Sequence, residues 1–191
     1  MRLFTGIELG HAVRENAANV AAQLRRHCEQ QAPEARLTWI PAERLHLTLR
    51  FIGEVDDPLA ERIVGALRDP APMAPFTIAF DGVGAFPPKG PPRVIWIGVV
   101  EGREAVVRAE SMIGDRLLEL GIPREDRPYS PHLTLARVRD ARGLRVARLV
   151  DGISSSLGRT PVAAITLFQS KLSPKGPTYV VLERTSLARA G

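Results

Sequence analysis

The tetrapeptide His-Leu-Thr-Leu occurs twice in this chain, as His46-Leu47-Thr48-Leu49 and as His132-Leu133-Thr134-Leu135. Two of the chain's four histidines lie in these copies. In a β-strand successive side chains point to opposite faces, so each histidine shares a face with its threonine while both leucines enter an apolar layer. The repeat therefore predicts two strands that each present an imidazole beside a hydroxyl. Across one cleft, the two copies would supply a general acid, a general base and two neutral hydrogen-bond donors.

The rest of the chain alternates between strand-like and helix-like patterns. Strands are predicted over 2–9, 37–40, 45–52, 76–83, 93–100, 132–138, 161–172 and 178–187, and helices over 12–31, 56–69, 103–120 and 143–151. The last two strands are joined by a turn that contains Pro174 and Gly176, which indicates a hairpin. Because helices and strands mix without regular strand–helix–strand units, we predict an α+β fold with antiparallel sheets. The motifs lie 86 residues apart on comparable strands, which suggests a rough internal duplication.

Composition sets outer bounds on this fold. A length of 191 residues fits a single domain spanning 1–191, either one large unit or two small lobes that share a core. No apolar run approaches the roughly 18 residues of a membrane-spanning helix, so no membrane association is expected. The single cysteine, Cys28, excludes an internal disulfide and a multi-cysteine metal site. We therefore expect a cytoplasmic protein, and a monomer.

The charge balance is basic and is carried largely by arginine. The net charge is +5, and one run contains Arg137, Arg139, Arg142, Arg145 and Arg148. Guanidinium groups match the geometry of phosphate and stack on bases, so a polyanionic partner such as RNA is one interpretation. Surface arginine that only keeps the protein in solution explains the same numbers equally well.

Several kinds of catalytic site lack their sequence signatures. The chain has no His-Glu-x-x-His motif, no glycine-rich phosphate loop and no Gly-x-Ser-x-Gly elbow, and no carboxylates cluster near the histidines. We therefore predict no metal and no cofactor. Paired imidazoles remain, and their ordinary pKa of about 6.5 suits both halves of an acid–base phosphoryl transfer. One histidine would take a proton from the attacking group and the other would protonate the departing oxygen.

These motifs and their surroundings resemble the two-histidine (2H) phosphoesterases. More narrowly, the chain resembles the bacterial and archaeal RNA 2′,3′-cyclic phosphodiesterases, also called 2′-5′ RNA ligase-like proteins. The resemblance runs through Arg2-Leu3-Phe4, Trp39-Ile40-Pro41, 46–55, Gly84-Ala85-Phe86-Pro87, 93–98, 131–137 and 170–179.

The resemblance implies a bilobal fold with two antiparallel sheets flanked by helices, and with one His-x-Thr-x motif from each lobe facing a central cleft. It implies that the chain opens an RNA or nucleotide 2′,3′-cyclic phosphate to a 2′-phosphomonoester without a metal. In the family the first-motif histidine is usually taken as the proton donor and the second as the acceptor, which makes His46 the acid and His132 the base. The same site would also permit 2′-5′ ligation.

Further residues are candidates for substrate binding. Thr48 and Thr134 share the faces of the catalytic histidines and would donate to phosphate oxygens. Arg50 lies on the first of these faces by strict alternation, although a solvated arginine at the strand end is equally compatible with the sequence. Arg137 lies five residues beyond His132, so alternation points it away from the cleft. The resemblance nevertheless places a phosphate-binding arginine there, and either a β-bulge or a strong twist at the strand end would reconcile the two.

The aromatic candidates for stacking on a base are Tyr129 and Phe51. Tyr129 lies in a proline-rich loop that enters the second motif strand, and packing in the core is the simpler interpretation of Phe51. Tyr179 and Lys175 flank the closing hairpin turn and could approach the cleft, although a packed tyrosine and a solvated lysine are simpler interpretations.

Other functions remain open at this point. The chain could ligate RNA in the 2′-5′ sense, or it could hydrolyse a different cyclic nucleotide or a 2′-5′ linkage. It could also be a non-catalytic module that holds RNA ends, and a protein that binds a metal with its two histidines is the weakest alternative. Assays of product formation and of metal content distinguish these functions.

Overall fold

The structure is a computed structural model that describes residues 1–174 and 176–188. Its strands are β1 (Arg2–Glu8), β2 (Arg36–Trp39), β3 (His46–Glu54), β4 (Ala71–Pro72), β5 (Phe76–Phe86), β6 (Val94–Glu101), β7 (His132–Asp140), β8 (Gly158–Val162), β9 (Ala164–Lys171) and β10 (Thr178–Ala188). Its α-helices are α1 (His11–Gln31), α2 (Asp57–Arg68), α3 (Arg103–Leu118) and α4 (Val146–Leu149). Lys175 lies outside the described residues.

The ten strands form two five-stranded sheets. The first has the order β3-β1-β9-β10-β4 and the second the order β2-β7-β6-β5-β8. Every pairing is antiparallel except that of β4 with β10. This arrangement confirms the predicted α+β class. The sheets exchange strands, because β2 from the first half of the chain pairs with β7, and the C-terminal β9 pairs with β1. Neither sheet is therefore built from one continuous half of the chain.

Helices cover the apolar faces of the sheets. α1 buries an apolar stripe that includes Val13, Val20 and Leu24, and it contacts β7 and β8. α2 begins where the sequence predicts, because the Asp56 side chain accepts a hydrogen bond from the Leu59 amide at 2.9 Å. The four motif leucines are buried in the same core. In the described part of the chain, no helix has the length and apolar character needed to cross a membrane.

One predicted strand is in fact two. The run 161–172 contains the end of β8, which pairs with β5 in the second sheet, and β9, which pairs with β1 in the first. The chain crosses between the sheets at Ala163. Only small or β-branched apolar residues, Val162, Ala163, Ala164 and Ile165, surround the crossing, so the local pattern resembles one continuous strand that begins at Pro161. The expected hairpin of β9 with β10 is confirmed.

Candidate active site

The two motif strands lie beside each other where the sheets meet. β3 is the edge strand of the first sheet, and it contacts β7 of the second. The Tyr129 hydroxyl, in the loop that leads into β7, donates a hydrogen bond of 2.7 Å to the Thr48 carbonyl on β3. Burial is the largest cause of the lowered pKa of both His46 and His132, and the positive charge of Arg137 on β7 adds to it at each ring. Arg137 therefore lies close enough to act on both imidazoles, although they are far apart in sequence.

A β-bulge sets which side chains of β7 face the cleft. Thr134 and Ala136 pair with consecutive residues of β6, so Leu135 is left without a partner. Leu135 and Ala136 are both fully buried, and Arg137 emerges on the side of His132. One extra residue inverts the alternation of a strand. The bulge that would bring Arg137 to the cleft is thus confirmed.

The same bulge occurs at the same place in β3. Thr48 and Arg50 pair with consecutive residues of β1, and Leu49 is the extra residue. Arg50 consequently joins Leu49 on the buried side, where its exposed fraction is only 2%. Its Nη1 lies 2.9 Å from a carboxylate oxygen of Glu110 on α3. The prediction that Arg50 reaches the cleft is wrong, because it assumed unbroken alternation.

Phe51 takes the position in β3 that Arg137 takes in β7. Its side chain is 53% exposed, and its ring centroid lies 6.2 Å from that of Phe4, which in turn contacts His46. Assigning Phe51 to the core is therefore wrong, and its exposed ring remains a candidate for stacking on a base.

Tyr129 has a different role from the one considered for it. Its ring packs against the core, and its hydroxyl is engaged by the Thr48 carbonyl. Burial strongly raises the pKa of this phenol, so the hydroxyl stays protonated and able to donate. The hydrogen bond to Thr48 makes Tyr129 a link between the two motif strands. Because its ring packs against the core, the ring is not free to stack on a base.

The two histidines are oriented in the same way. His46 Nδ1 lies 2.8 Å from the Arg44 carbonyl, and His132 Nδ1 lies 2.7 Å from the Ser130 carbonyl. A carbonyl oxygen only accepts hydrogen bonds, so each Nδ1 carries the proton. In the neutral ring the lone pair is then on Nε2, which takes no part in the hydrogen bond to the backbone carbonyl. Each motif thus fixes the tautomer of its imidazole by a bond to the residue two positions earlier.

Aromatic rings from other strands enclose the first histidine. The ring centroids of Phe4 and Tyr179 lie 4.8 Å and 5.0 Å from that of His46, and the ring of Phe168 lies 5.9 Å away. Tyr179 meets the imidazole edge-on, at an interplanar angle of 85°. The sequence indicates that Tyr179 could approach the cleft, but it does not identify His46 as the ring that Tyr179 contacts. The roles of Phe4 and Phe168 were missed.

A second aromatic pair surrounds the other histidine. Phe86 on β5 lies 5.0 Å from the His132 ring centroid, and Trp96 on β6 lies 6.2 Å away. Gly84 leaves room for the indole, since a Cβ at that position would lie 2.3 Å from the Trp96 ring. Sequence reasoning missed these residues as well. The chain has few aromatic residues, and their scarcity was the one signal that could have drawn attention to them.

The surroundings lower the pKa of both histidines. Burial is the largest cause at each ring, and the Arg137 cation adds to it, while the backbone carbonyl at Nδ1 opposes the change. Both rings therefore favour the neutral form in the free protein. A bound anion would favour the imidazolium, because opposite charges at short distance stabilise each other.

No metal centre was found in the part of the chain that the structure describes. Within residues 1–174 and 176–188, no group of three or more histidine, cysteine, aspartate or glutamate side chains is arranged to hold an ion. The arrangement that is present consists of two imidazoles, a guanidinium and the neighbouring threonines.

Two adjoining strands that each carry a His-x-Thr motif, within two antiparallel sheets, are the pattern of a two-histidine phosphoesterase. The chain belongs to the LigT-like phosphoesterase family, whose model matches it twice, over residues 12–96 and 97–179. Each matched half contains one motif, as expected for an internal duplication. The resemblance inferred from the sequence is thereby confirmed.

The relatives have consistent names. A protein of Archaeoglobus fulgidus, named RNA 2′,3′-cyclic phosphodiesterase, is 38% identical over 180 residues, which cover 94% of this chain and 96% of the relative. A Thermus thermophilus protein of the same name is 36% identical in an alignment that covers 98% of this chain and 90% of the relative.

Solved structures share the fold over the whole chain. The crystal structure of a Thermus thermophilus protein superposes with a TM-score of 0.74 at 30% identity and covers 100% of both chains. Escherichia coli LigT in complex with 3′-AMP superposes with a TM-score of 0.68 at 25% identity and covers 98% of both chains.

Proposed function

We propose that this chain is a metal-independent RNA 2′,3′-cyclic 3′-phosphodiesterase that opens a 2′,3′-cyclic phosphate to a 2′-phosphomonoester. The observation that carries the proposal is the pair of equivalently oriented imidazoles on two strands that contact each other, with Arg137 near both. The names of the relatives support the same substrate class.

The proposed reaction needs one proton acceptor and one proton donor. His132 Nε2 takes a proton from water, and the water oxygen forms a bond to phosphorus. The bond between phosphorus and the 3′ oxygen breaks, and imidazolium His46 donates its Nε2 proton to that oxygen. Arg137 and the hydroxyls of Thr48 and Thr134 donate hydrogen bonds to the non-bridging oxygens as their charge increases. Proton exchange with solvent then restores the starting protonation states.

The assignment of acid and base follows the resemblance and agrees with burial. The His46 ring is more deeply buried than that of His132, and it is enclosed by three aromatic rings. The more accessible His132 is better placed to activate a water molecule. His46 would become charged as the phosphodiester binds, because that anion offsets the cost of desolvating the imidazolium.

Both motifs come from one chain, so a monomer contains a complete site, and we propose that the monomer acts on RNA ends. A cytoplasmic location stays a prediction. Ligation of RNA in the 2′-5′ sense also stays a prediction, since an RNA 5′-hydroxyl could replace water in the same step.

The test is an assay of a short oligonucleotide that ends in a 2′,3′-cyclic phosphate, in the presence of excess chelator. We expect conversion to a 2′-phosphate, detected as the mass gain of one water and separated from the 3′ isomer by chromatography. Loss of activity with chelator would contradict the metal-independent mechanism, and binding without product would favour a non-catalytic module. Adding an RNA with a 5′-hydroxyl tests ligation in the same format.

Replacing Arg137 with methionine should weaken catalysis and raise both histidine pKa values. Loss of a charged hydrogen bond to phosphate is expected to lower kcat/KM roughly 10- to 100-fold, or about 1.5–3 kcal/mol. Removing the cation also removes one cause of the lowered pKa values, so both should rise towards the ordinary 6.5. NMR titration of the imidazole Cε1 protons measures this change.

The pH profile offers a second measurement of the same variant. In the free protein both pKa values lie below 6.5, so the state with one neutral and one protonated imidazole is most populated below about pH 6.5. The maximum of kcat/KM should therefore lie there and move to higher pH in Arg137→Met. Arg142→Met, in the same run but paired with Asp140 at 2.7 Å, is the matched control and should leave the profile in place.

A further inference from the structure

The strands that pair with the two motif strands differ at one equivalent position. Gly6 of β1 lies opposite Thr48 in the first sheet, and Trp96 of β6 lies opposite Thr134 in the second. Each is two positions away from the residue that faces the motif histidine. The duplicated halves therefore place the smallest and the largest side chain at the same point beside the two imidazoles.

Gly6 leaves the space that the first imidazole occupies. A Cβ at this position would lie 3.5 Å from Cδ2 of His46 and 2.9 Å from the Leu47 carbonyl oxygen. The His46 ring therefore lies against the β1 backbone, on the side where a side chain at position 6 would project. From this position the ring reaches the three aromatic rings that enclose it.

Trp96 fills the corresponding space in the second sheet. Its indole lies over Gly84 of β5, where a Cβ would be 2.3 Å from the ring. The same indole extends to 3.4 Å from the Cβ position of Gly98, the residue opposite His132. The His132 ring centroid lies 6.2 Å from that of the indole. The second imidazole therefore lies against an indole where the first lies against bare backbone.

The two arrangements leave the imidazoles unequally accessible. The motifs themselves are alike, since each Nδ1 bonds to a carbonyl two residues earlier in the chain. His46 is nevertheless more deeply buried than His132. A base that takes a proton from water must be reached by water, whereas an acid has to meet only the departing oxygen. The difference between the two partner strands thus matches the difference between the two roles.

We propose that Gly6 and Trp96 are positioning residues that assign the acid role to His46 and the base role to His132. The bare backbone at Gly6 lets His46 lie within its aromatic enclosure, and the Trp96 indole holds His132 out where water reaches it. The inference rests on the proposed function and identifies the residues that make two identical motifs chemically unequal. Each residue acts through the histidine beside it.

The first test changes position 6. Gly6→Ala adds a methyl group that must displace the Leu47 carbonyl and the His46 ring. A displaced acid should lower kcat/KM for the cyclic-phosphate oligonucleotide roughly 10- to 100-fold. With sulfur as the bridging 3′ atom the leaving group needs no acid, because a thiol has a pKa of about 8.5, so that substrate should stay within about 3-fold of wild type. Gly65→Ala on α2, where a Cβ meets no atom within 4 Å, is the matched control and should change neither substrate.

The second test makes the second sheet copy the first. Trp96→Gly/Gly84→Thr reproduces the neighbours Gly6 and Thr166, so the His132 ring can lie against β6. A base withdrawn from water should slow both substrates equally, by roughly 10-fold, because sulfur does not replace a base. Restoration of this double variant by sulfur would overturn the proposed division of roles. So would equal losses on both substrates in Gly6→Ala, or no loss in either variant.

NMR titration separates this inference from the proposed function, because it needs no turnover. Burial is the largest cause of the lowered pKa of both imidazoles. Gly6→Ala should therefore raise the pKa of His46 alone towards 6.5, and the double variant should lower that of His132 alone. Thermal unfolding shows whether each variant is folded, and where one is not, the other decides. If the wild-type protein hydrolyses neither substrate, the proposed function fails, and these pKa values still test the positions of the rings. Unchanged pKa values in folded variants would overturn the inference.

Discussion

Alanine in place of either motif histidine should reduce kcat by about 10²–10⁴-fold without unfolding the protein. The loss follows because His46 and His132 each carry one proton transfer, and a well-placed acid or base contributes a factor of this size. Neither ring is an irreplaceable part of the core, since each starts its strand and is only partly buried. Single-turnover kinetics on the cyclic-phosphate oligonucleotide measure the loss of catalytic rate. Circular dichroism and thermal unfolding measure whether the variants keep the fold and its stability.

His11→Ala is the matched control for these variants. His11 starts α1, is exposed and pairs with Glu15 at 3.3 Å, so its loss should leave turnover unchanged. The double variant His46→Ala/His132→Ala should be hardly slower than either single variant, because groups that act as a unit are strongly non-additive. Near-normal turnover by either single variant would contradict two-histidine catalysis.

A modified substrate distinguishes the acid from the base. Sulfur in place of the bridging 3′ oxygen gives a leaving group that needs no proton, since a thiol has a pKa of about 8.5. If His46 is the acid, this substrate should largely restore the activity of His46→Ala and should not restore that of His132→Ala. The reverse result would exchange the two roles and leave the proposed reaction class unaffected.

The strands of the site were predictable because they depend on local patterns. His-Leu-Thr-Leu alternates between polar and apolar residues, and the structure buries the leucines as that alternation requires. The crossing from β8 to β9 was not predictable, because the residues around Ala163 fit one long strand as well as two short ones. Which sheet edge is open to each strand is decided by the rest of the fold.

The failures at Arg50 and Phe51 have a single physical cause. A bulge was considered only in the second motif strand, because the family resemblance placed an arginine at position 137. The structure has the same bulge in both strands, as expected of duplicated segments with the same local sequence. Shifting the alternation by one residue after Leu49 would have turned Arg50 inward and Phe51 outward.

The aromatic rings around the histidines could not be found from the motifs. Phe4, Phe86, Trp96, Phe168 and Tyr179 come from five different strands, and they meet only after the sheets have formed. Their strand-like sequence contexts carry no information about their distance from an imidazole. Sequence patterns therefore located the reacting groups, whereas tertiary structure determined the surroundings that set their pKa values.

Replacing Arg50 with methionine should destabilise the protein and leave its chemistry largely intact. The buried guanidinium pairs with Glu110 at 2.9 Å and donates a hydrogen bond to the Pro123 carbonyl, at the start of the loop that leads to the second motif. Gly114 on α3 leaves room for this side chain, since a Cβ there would lie 3.2 Å from Nη1. Removing one partner of such a pair costs about 3–5 kcal/mol of unfolding free energy, because the other charge stays partly buried.

Urea denaturation of Arg50→Met measures that loss, and kcat measured at low temperature, where the variant is folded, should stay within about 3-fold of wild type. Arg137→Met is the opposite case, with impaired turnover and nearly unchanged stability, because its side chain is exposed. The double variant Arg50→Met/Glu110→Leu should recover part of the lost stability, since it removes the unpaired carboxylate. A large loss of kcat in a folded, stable Arg50→Met protein would instead place this arginine at the reacting phosphate. That result would contradict the inference that the bulge in β3 turns Arg50 away from the cleft.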